Sequence, residues 1–127
     1  MRVFYLEKPL SQEDEAVVAE MFEATIEQVR IPHLLPSGDA DESLEARFFQ
    51  TGEAVEKLLR ATGILADYGV QVGLVIPRDM MAFGALNEAI HRLTGFYPPA
   101  IQTADHRKAL GCDGYLRILD MQGMMRG

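Results

Sequence analysis

The sequence has one cysteine, Cys112, and no tryptophan among its 127 residues. A single cysteine excludes an internal disulfide and a zinc site built from several cysteines. No apolar run approaches the roughly 18 residues that a membrane-spanning helix requires. Charge also enters at Arg2 and Glu7, too early for the apolar core of a secretory signal peptide. We therefore expect a cytoplasmic protein that does not enter a membrane.

Positive charge is scarce: 12 Lys and Arg residues face 19 Asp and Glu residues, which gives a net charge of −7. Binding along DNA or long RNA needs a basic face, so this balance argues against it. Residues 1–63 hold 13 acids and 6 bases, and residues 64–127 hold 6 of each. An anionic ligand would therefore need a small cleft in which a few cations outweigh the surrounding acid.

Strong catalytic and nucleotide-binding motifs are absent. The sequence contains no G-x-G-x-x-G, no G-x-x-x-x-G-K-[ST], no G-x-S-x-G and no H-E-x-x-H. Glu7 alone does not supply the acidic pair of a response-regulator receiver. Cys112 has no neighbouring base that would activate its thiol. We expect no catalytic residue, no metal site and no bound cofactor.

Apolar segments alternate with segments of helical periodicity along the chain. The pattern predicts strands near 3–6, 26–31, 70–76, 99–103 and 115–121, helices over about 11–25, 43–62 and 79–93, and a loop over 104–114. The run 70–76 is almost continuously apolar, as in a central parallel strand. Pro98 and Pro99 place the strand at 99–103 toward a sheet edge. One buried helical stripe is expected from Val17, Val18, Met21, Phe22 and Thr25.

This order of elements predicts one α/β domain over residues 1–127. The expected architecture is a Rossmann-like three-layer sandwich, in which a mostly parallel open sheet of about five strands carries helices on both faces.

Such sheets bind ligands beyond the carboxyl ends of their strands, near helix N-termini. Two junctions fit, Leu6–Ser11 and Ile76–Met81, and each offers a helix start and one cation, Lys8 or Arg78. Free backbone N–H groups beside a cation suit a phosphate. The alternative is a solvated charge beside an ordinary helix cap.

The histidines and methionines leave further alternatives open. His33 follows the second strand, where it could contact a ligand or transfer a proton, or could be a partly exposed loop residue. His106 begins a short basic cluster that could touch phosphate or could be solvated. Met124 and Met125 are hard to bury in so small a domain, and we hypothesise that the tail packs on a second subunit.

A family resemblance rests on short motifs along the chain. The segment Gly95–Ile101 (G-F-Y-P-P-A-I) follows a helix that contains a histidine, and the last strand leads to a short basic tail. Together with Pro9-Leu10-Ser11 and the Ile76-Pro77 strand exit, this layout resembles a small family that accompanies type III CRISPR systems. That family is related in fold to CARF (CRISPR-associated Rossmann fold) domains and ring nucleases. The segments 33–49 and 104–114 have no match in this resemblance.

The resemblance implies binding of a cyclic oligoadenylate, above all cyclic tetra-adenylate, at a homodimer interface, as a sponge or regulator in antiviral signalling. A two-fold ring suits a two-fold dimer, which could join larger assemblies. The candidate ligand-binding residues are Lys8, Ser11, His33, Arg78, Met80, Met81 and Asn87. One alternative is a metal-independent ring nuclease that cleaves the same ligand. Another is a protein-interaction domain whose acidic first half faces a basic partner.

Overall fold

The computed structural model describes residues 1–31, 52–57, 59–61 and 71–126, with only the backbone described at positions 81 and 126. Residues 52–57 and 59–61 are helical, and the two stretches are labelled α2 together. The other elements are β1 (Arg2–Tyr5), α1 (Gln12–Phe22), β2 (Glu27–Arg30), β3 (Val72–Val75), α3 (Met80–Thr94), β4 (Ala100–Gln102), α4 (Ala104–Ala109), β5 (Arg117–Leu119) and α5 (Met121–Arg126). All five predicted strands are present at the expected places.

The strands form one sheet in the order β2-β1-β3-β4-β5. β1 pairs in parallel with β2 and β3, β3 pairs in parallel with β4, and β5 is antiparallel to β4. The predicted α/β fold with a mostly parallel five-stranded sheet is confirmed. The chain leaves β1 to form β2 on one side and later returns to form β3 on the other side, so a topological switch point lies between β1 and β3.

Apolar side chains are buried in two clusters, which share β1 and β3 because strand side chains alternate between faces. Phe4 and Leu74 pack with Val55 and Leu59 of α2 and with Leu86 of α3. The second cluster contains Val3, Val75 and Ile101 together with Val18 of α1. Fully burying one such side chain stabilises a fold by about 1.5–3 kcal/mol, so both clusters hold the strand ends in place.

The predicted edge position of the fourth strand is wrong. β4 lies between β3 and β5, and its backbone is paired on both sides. The two prolines precede the strand and therefore remove no donor from its ladder. The carbonyl of Pro99 even accepts a hydrogen bond from the Leu74 N–H, with N and O 3.0 Å apart.

The predicted loop over 104–114 is also wrong in its first half, where α4 forms. Thr103 caps this helix, because its Oγ1 accepts a hydrogen bond from the N–H of His106 at 3.1 Å. None of the α4 residues is fully buried, so the helix lacks the apolar periodicity that would have predicted it.

α1 begins where the sequence predicts a helix, with Ser11 as its N-cap, but it buries a narrower stripe than expected. Val18 is fully buried, whereas Val17 and Met21 are 42% and 58% exposed. The helix ends at Phe22, and Glu23 adopts a left-handed φ of 49° as its C-cap, which places Thr25 outside the helix. Successive helical residues point about 100° apart, so α1 packs through a narrow stripe that covers Val18 and leaves Val17 at its border.

α3 has 15 residues. Its Ala85, Leu86, Ala89 and Ile90 are buried against the sheet and its neighbours. Within the part of the chain that the structure describes, no helix has both the length and the apolar character needed to span a membrane.

Candidate functional site

A cleft of about 150 Å³ lies at the carboxyl edge of the sheet, where the chain leaves β1, β3 and β4. Its lining consists of Leu6, Glu7, Lys8, Val75, Ile76, Pro77, Arg78, Thr103, Asp105 and His106. This is the switch-point position at which open α/β sheets bind ligands. Pockets that enclose a whole drug-sized ligand measure about 300–1,000 Å³, so this cleft takes one group of a ligand, such as a phosphate.

Three cationic or basic side chains from three separate strand ends meet at the cleft. Lys8 follows β1, Arg78 follows β3 and His106 belongs to α4, which follows β4. Within the described residues, no hydrogen bond or ion pair involves any of these three side chains. They are therefore available to an anion. Sequence reasoning predicted Lys8 and Arg78, and the structure brings them together.

His106 is the residue that the sequence left undecided. The three-residue basic cluster that it begins is divided by the helical turn of α4. His106 lines the cleft, while the Arg107 guanidinium pairs with Asp113 at 3.3 Å. The spacing of Thr103 as a cap three residues before His106 is the sequence signal that could have placed His106 on a helix.

Two carboxylates also line the cleft, Glu7 and Asp105. Glu7 Oε1 accepts a hydrogen bond from the backbone N–H of Arg78 at 3.1 Å. This bond ties the loop after β1 to the loop after β3 across the switch point. With two carboxylates, two permanent cations and one histidine, the cleft is close to electrically balanced.

The helix N-termini at this edge are already capped by side chains. Ser11 Oγ accepts from the N–H of Asp14 at 3.1 Å, and Asp79 Oδ1 accepts from the N–H of Ala82 at 3.2 Å. The sequence predicts that both helix starts offer free backbone N–H groups to a ligand. The caps take the third N–H group of each helix, so only the first two N–H groups of α1 and of α3 could serve that purpose. The Ser11 hydroxyl serves its own helix and does not line the cleft.

Asp14 positions the wall of the cleft that carries His106. Its side chain is buried, and Oδ2 accepts a hydrogen bond from the N–H of Ala104 at 3.3 Å. The carboxylate thus connects the first turn of α1 to the first turn of α4. In the sequence Asp14 is one of three successive acids at a helix start, and nothing there distinguishes it from Glu13 or Glu15.

The remaining predicted site residues lie elsewhere. Met80 is the first residue of α3 and is 63% exposed, and neither it nor Asn87 lines the cleft. Asn87 is buried, and its Oδ1 has no hydrogen-bond partner among the described residues. His33 and the side chain of Met81 lie outside the described residues.

A larger cavity of about 320 Å³ opens at the opposite edge of the sheet. Its lining is mostly apolar and consists of Met1, Phe22, Gln71, Val72, Ile90, Thr94, Phe96, Tyr97, Pro98 and Pro99. The Tyr97 ring stacks on His91 with centroids 4.0 Å apart, and its hydroxyl donates to Glu88 Oε2 at 3.4 Å. Partial burial, the Glu88 charge and this hydrogen bond raise the pKa of Tyr97.

Neither a metal site nor a known relative defines the chemistry further. Among the described residues, no group of three or more His, Cys, Asp or Glu side chains is placed to hold a metal ion. Cys112 is exposed. No protein-family model, no curated protein and no solved structure matches the chain.

Proposed function

We propose that the protein binds a cyclic oligoadenylate, above all cyclic tetra-adenylate, with a phosphate group seated in the switch-point cleft. The observation that carries this proposal is the convergence of Lys8, Arg78 and His106 from three strand ends. Arg and Lys form charge-assisted hydrogen bonds to phosphate that are roughly twice as strong as neutral ones. The role we propose is that of a sponge or regulator in type III CRISPR antiviral signalling.

The size of the cleft favours a homodimer as the binding unit. A space of about 150 Å³ admits one group of the ligand, whereas the ring has four nucleotides. A two-fold ring can present the same phosphate to each copy of a two-fold dimer, so two clefts would share one ligand. That dimer would meet at the carboxyl edge, where the cleft opens.

The finer architecture belongs to the same proposal. We take the domain to be a Rossmann-like, CARF-like three-layer sandwich, because one core cluster includes α2 and α3 and the other includes α1. A diffusing nucleotide messenger would meet such a protein in the cytoplasm.

The alternative function is a metal-independent ring nuclease, and His106 is the observation that favours it. A ribose 2′-hydroxyl positioned near a cation can attack the adjacent 3′-phosphate. The attack forms a 2′,3′-cyclic phosphate and breaks the bond to the 5′-oxygen of the next nucleotide, which leaves and takes a proton from water. An imidazole at the same cleft could accept the hydroxyl proton as general base. Chromatography of cyclic tetra-adenylate after long incubation distinguishes the two functions, since linear products at multiple turnovers would contradict a passive binder.

Calorimetric titration with cyclic tetra-adenylate tests the binding itself. The wild-type protein should bind the ligand at micromolar concentrations, and Lys8→Ala should weaken binding about tenfold, as the loss of one charged hydrogen bond predicts. Lys108→Ala is the matched control, because Lys108 is exposed on α4 and does not line the cleft. No binding at tens of micromolar ligand would overturn the proposal and favour a protein-interaction domain.

A further inference from the structure

We infer that the cleft selects a singly charged phosphodiester over a doubly charged terminal phosphate, and that Glu7 sets this preference. The inference rests on the proposed function, because it assumes that a phosphate enters the cleft. It goes beyond that function by stating which chemical form of phosphate the cleft accepts.

Glu7 is held in the cleft by backbone and not by a cation. Its Oε1 accepts from the Arg78 N–H at 3.1 Å, and no ion pair within the described residues involves its carboxylate. The negative charge therefore stays available to act on a ligand. The same hydrogen bond occupies the backbone N–H of Arg78, so that N–H is not free to donate to a phosphate.

The charges that line the cleft cancel before a ligand arrives. Lys8 and Arg78 are balanced by Glu7 and Asp105, and His106 adds charge only when it is protonated. A phosphodiester brings one negative charge, whereas a terminal phosphate carries about −1.5 to −2 at pH 7. The second charge must leave water for a cleft whose lining carries no net positive charge, and the Glu7 carboxylate is held in that lining by the Arg78 N–H, so the gain from the cations does not offset the cost of desolvation.

The preference has a direct meaning for the proposed ligand. Every phosphate of a cyclic oligoadenylate is a diester, whereas a linear oligonucleotide can end in a phosphate monoester. A cleft that disfavours the monoester would therefore bind the closed ring more tightly than a linear strand that places its terminal phosphate in the cleft.

A pair of mononucleotides tests the inference with a single phosphate in each ligand. The probes are adenosine 5′-monophosphate and its methyl ester, which differ by one methyl group and one charge. Nuclear magnetic resonance titration at neutral pH should show the methyl ester binding to the wild-type protein about tenfold more tightly.

Glu7→Gln identifies the cause, because its side-chain carbonyl can still accept from the Arg78 amide while the charge is gone. This variant should bind both probes within about a factor of two of each other. Glu20→Gln is the matched control, since Glu20 is exposed in the last turn of α1 and does not line the cleft. It should keep the wild-type preference.

Three outcomes would overturn the inference. They are equal or tighter binding of the monophosphate by the wild-type protein, a preference that survives in Glu7→Gln, and failure of both probes to perturb the resonances of cleft residues. If cyclic tetra-adenylate still binds in any of these cases, the proposed function stands and only the preference fails. If the cyclic ligand does not bind either, both proposals fall.

Discussion

The buried carboxylate of Asp14 accepts a hydrogen bond from the backbone N–H of Ala104, although 90 positions separate the two residues in the sequence. The same residue donates its own N–H to the Ser11 hydroxyl. Asp14 therefore joins the N-termini of α1 and α4, and through α4 it fixes one wall of the cleft. The position of Asp14 in the sequence, at the start of α1, does not reveal that it helps to position this wall.

Asp14→Ala should destabilise the fold. The substitution leaves the Ala104 N–H without its carboxylate partner, which costs about 1–3 kcal/mol for a hydrogen bond to a charged group. The free energy of unfolding in urea measures the effect. Glu13→Ala is the control, because Glu13 is exposed in the same helical turn and shares the favourable dipole position. Equal losses from the two variants would contradict a special role for Asp14.

Ser11→Ala should lower the free energy of unfolding by about 1 kcal/mol, because the N–H of Asp14 loses its cap. Ser11→Asp should retain most of the stability, since a carboxylate oxygen can accept the same hydrogen bond. Thermal or urea denaturation of the three proteins gives the comparison. If Ser11→Ala unfolded at the wild-type urea concentration, the hydroxyl would not be acting as a cap.

Arg78→Ala should weaken binding of cyclic tetra-adenylate by about 1.5–3 kcal/mol, or roughly 10- to 150-fold in Kd, if its guanidinium pairs with a phosphate. Calorimetry provides the measurement. Arg92→Ala is the matched control, because Arg92 is exposed near the end of α3, about 18 Å along the helix axis from Met80, and does not line the cleft. An affinity unchanged by Arg78→Ala would remove Arg78 from the site.

We expect the contribution of Tyr97 to the free energy of unfolding to fall at alkaline pH. Partial burial and the Glu88 carboxylate raise the pKa of Tyr97 in the folded protein. The resulting stabilisation is present below the pKa of the unfolded chain, about 10, and is lost as the pH rises through the folded value. The stability difference between wild type and Tyr97→Phe should therefore move in favour of the variant between neutral and strongly alkaline pH. A pH-independent difference would exclude this linkage.

The double variant Met124→Glu, Met125→Glu tests the hypothesis that the tail packs on a second subunit. Both methionines are exposed, at 64% and 56%. Without ligand, the wild-type protein should sediment as a dimer and the double variant as a monomer. Substitution is preferable to truncation, because Gln122 Oε1 accepts a hydrogen bond from the Tyr97 N–H at 2.8 Å. A double variant that stayed dimeric would contradict the hypothesis.

Sequence periodicity predicts the sheet because its strands are buried and apolar. β3 is central and parallel on both sides, as the apolar run 70–76 indicates. The sequence does not predict the short helices α4 and α5, because six residues make less than two helical turns and cannot show a repeated apolar pattern. The sequence indicates an edge position for β4 only if Pro98 and Pro99 lie within the strand, whereas both prolines precede it.

The sequence predicts two of the residues that line the candidate site, Lys8 and Arg78, but not His106 or Glu7. Lys8 and Arg78 follow strands, so the rule that ligands bind at carboxyl ends found them. His106 depended on α4, and Glu7 depended on a hydrogen bond to Arg78, whose position is 71 residues away. Long-range contacts of this kind arise from strand order, which the local pattern does not encode.

Because β5 runs antiparallel to β4, the C-terminal tail and the cleft lie at opposite edges of the sheet. Because Leu119 pairs with Ala100 at the start of β4, the chain returns to the amino edge, and α5 begins beside Tyr97. Met124 and Met125 therefore belong to the half of the molecule that lies away from the cleft. A protein that met one neighbour through the shared ring and another through its tail would grow head to head and tail to tail into a filament. If the proposed cyclic ligand and the tail both form these contacts, ligand concentration would set the length of such a filament, and removal of the ligand would leave pairs joined through their tails.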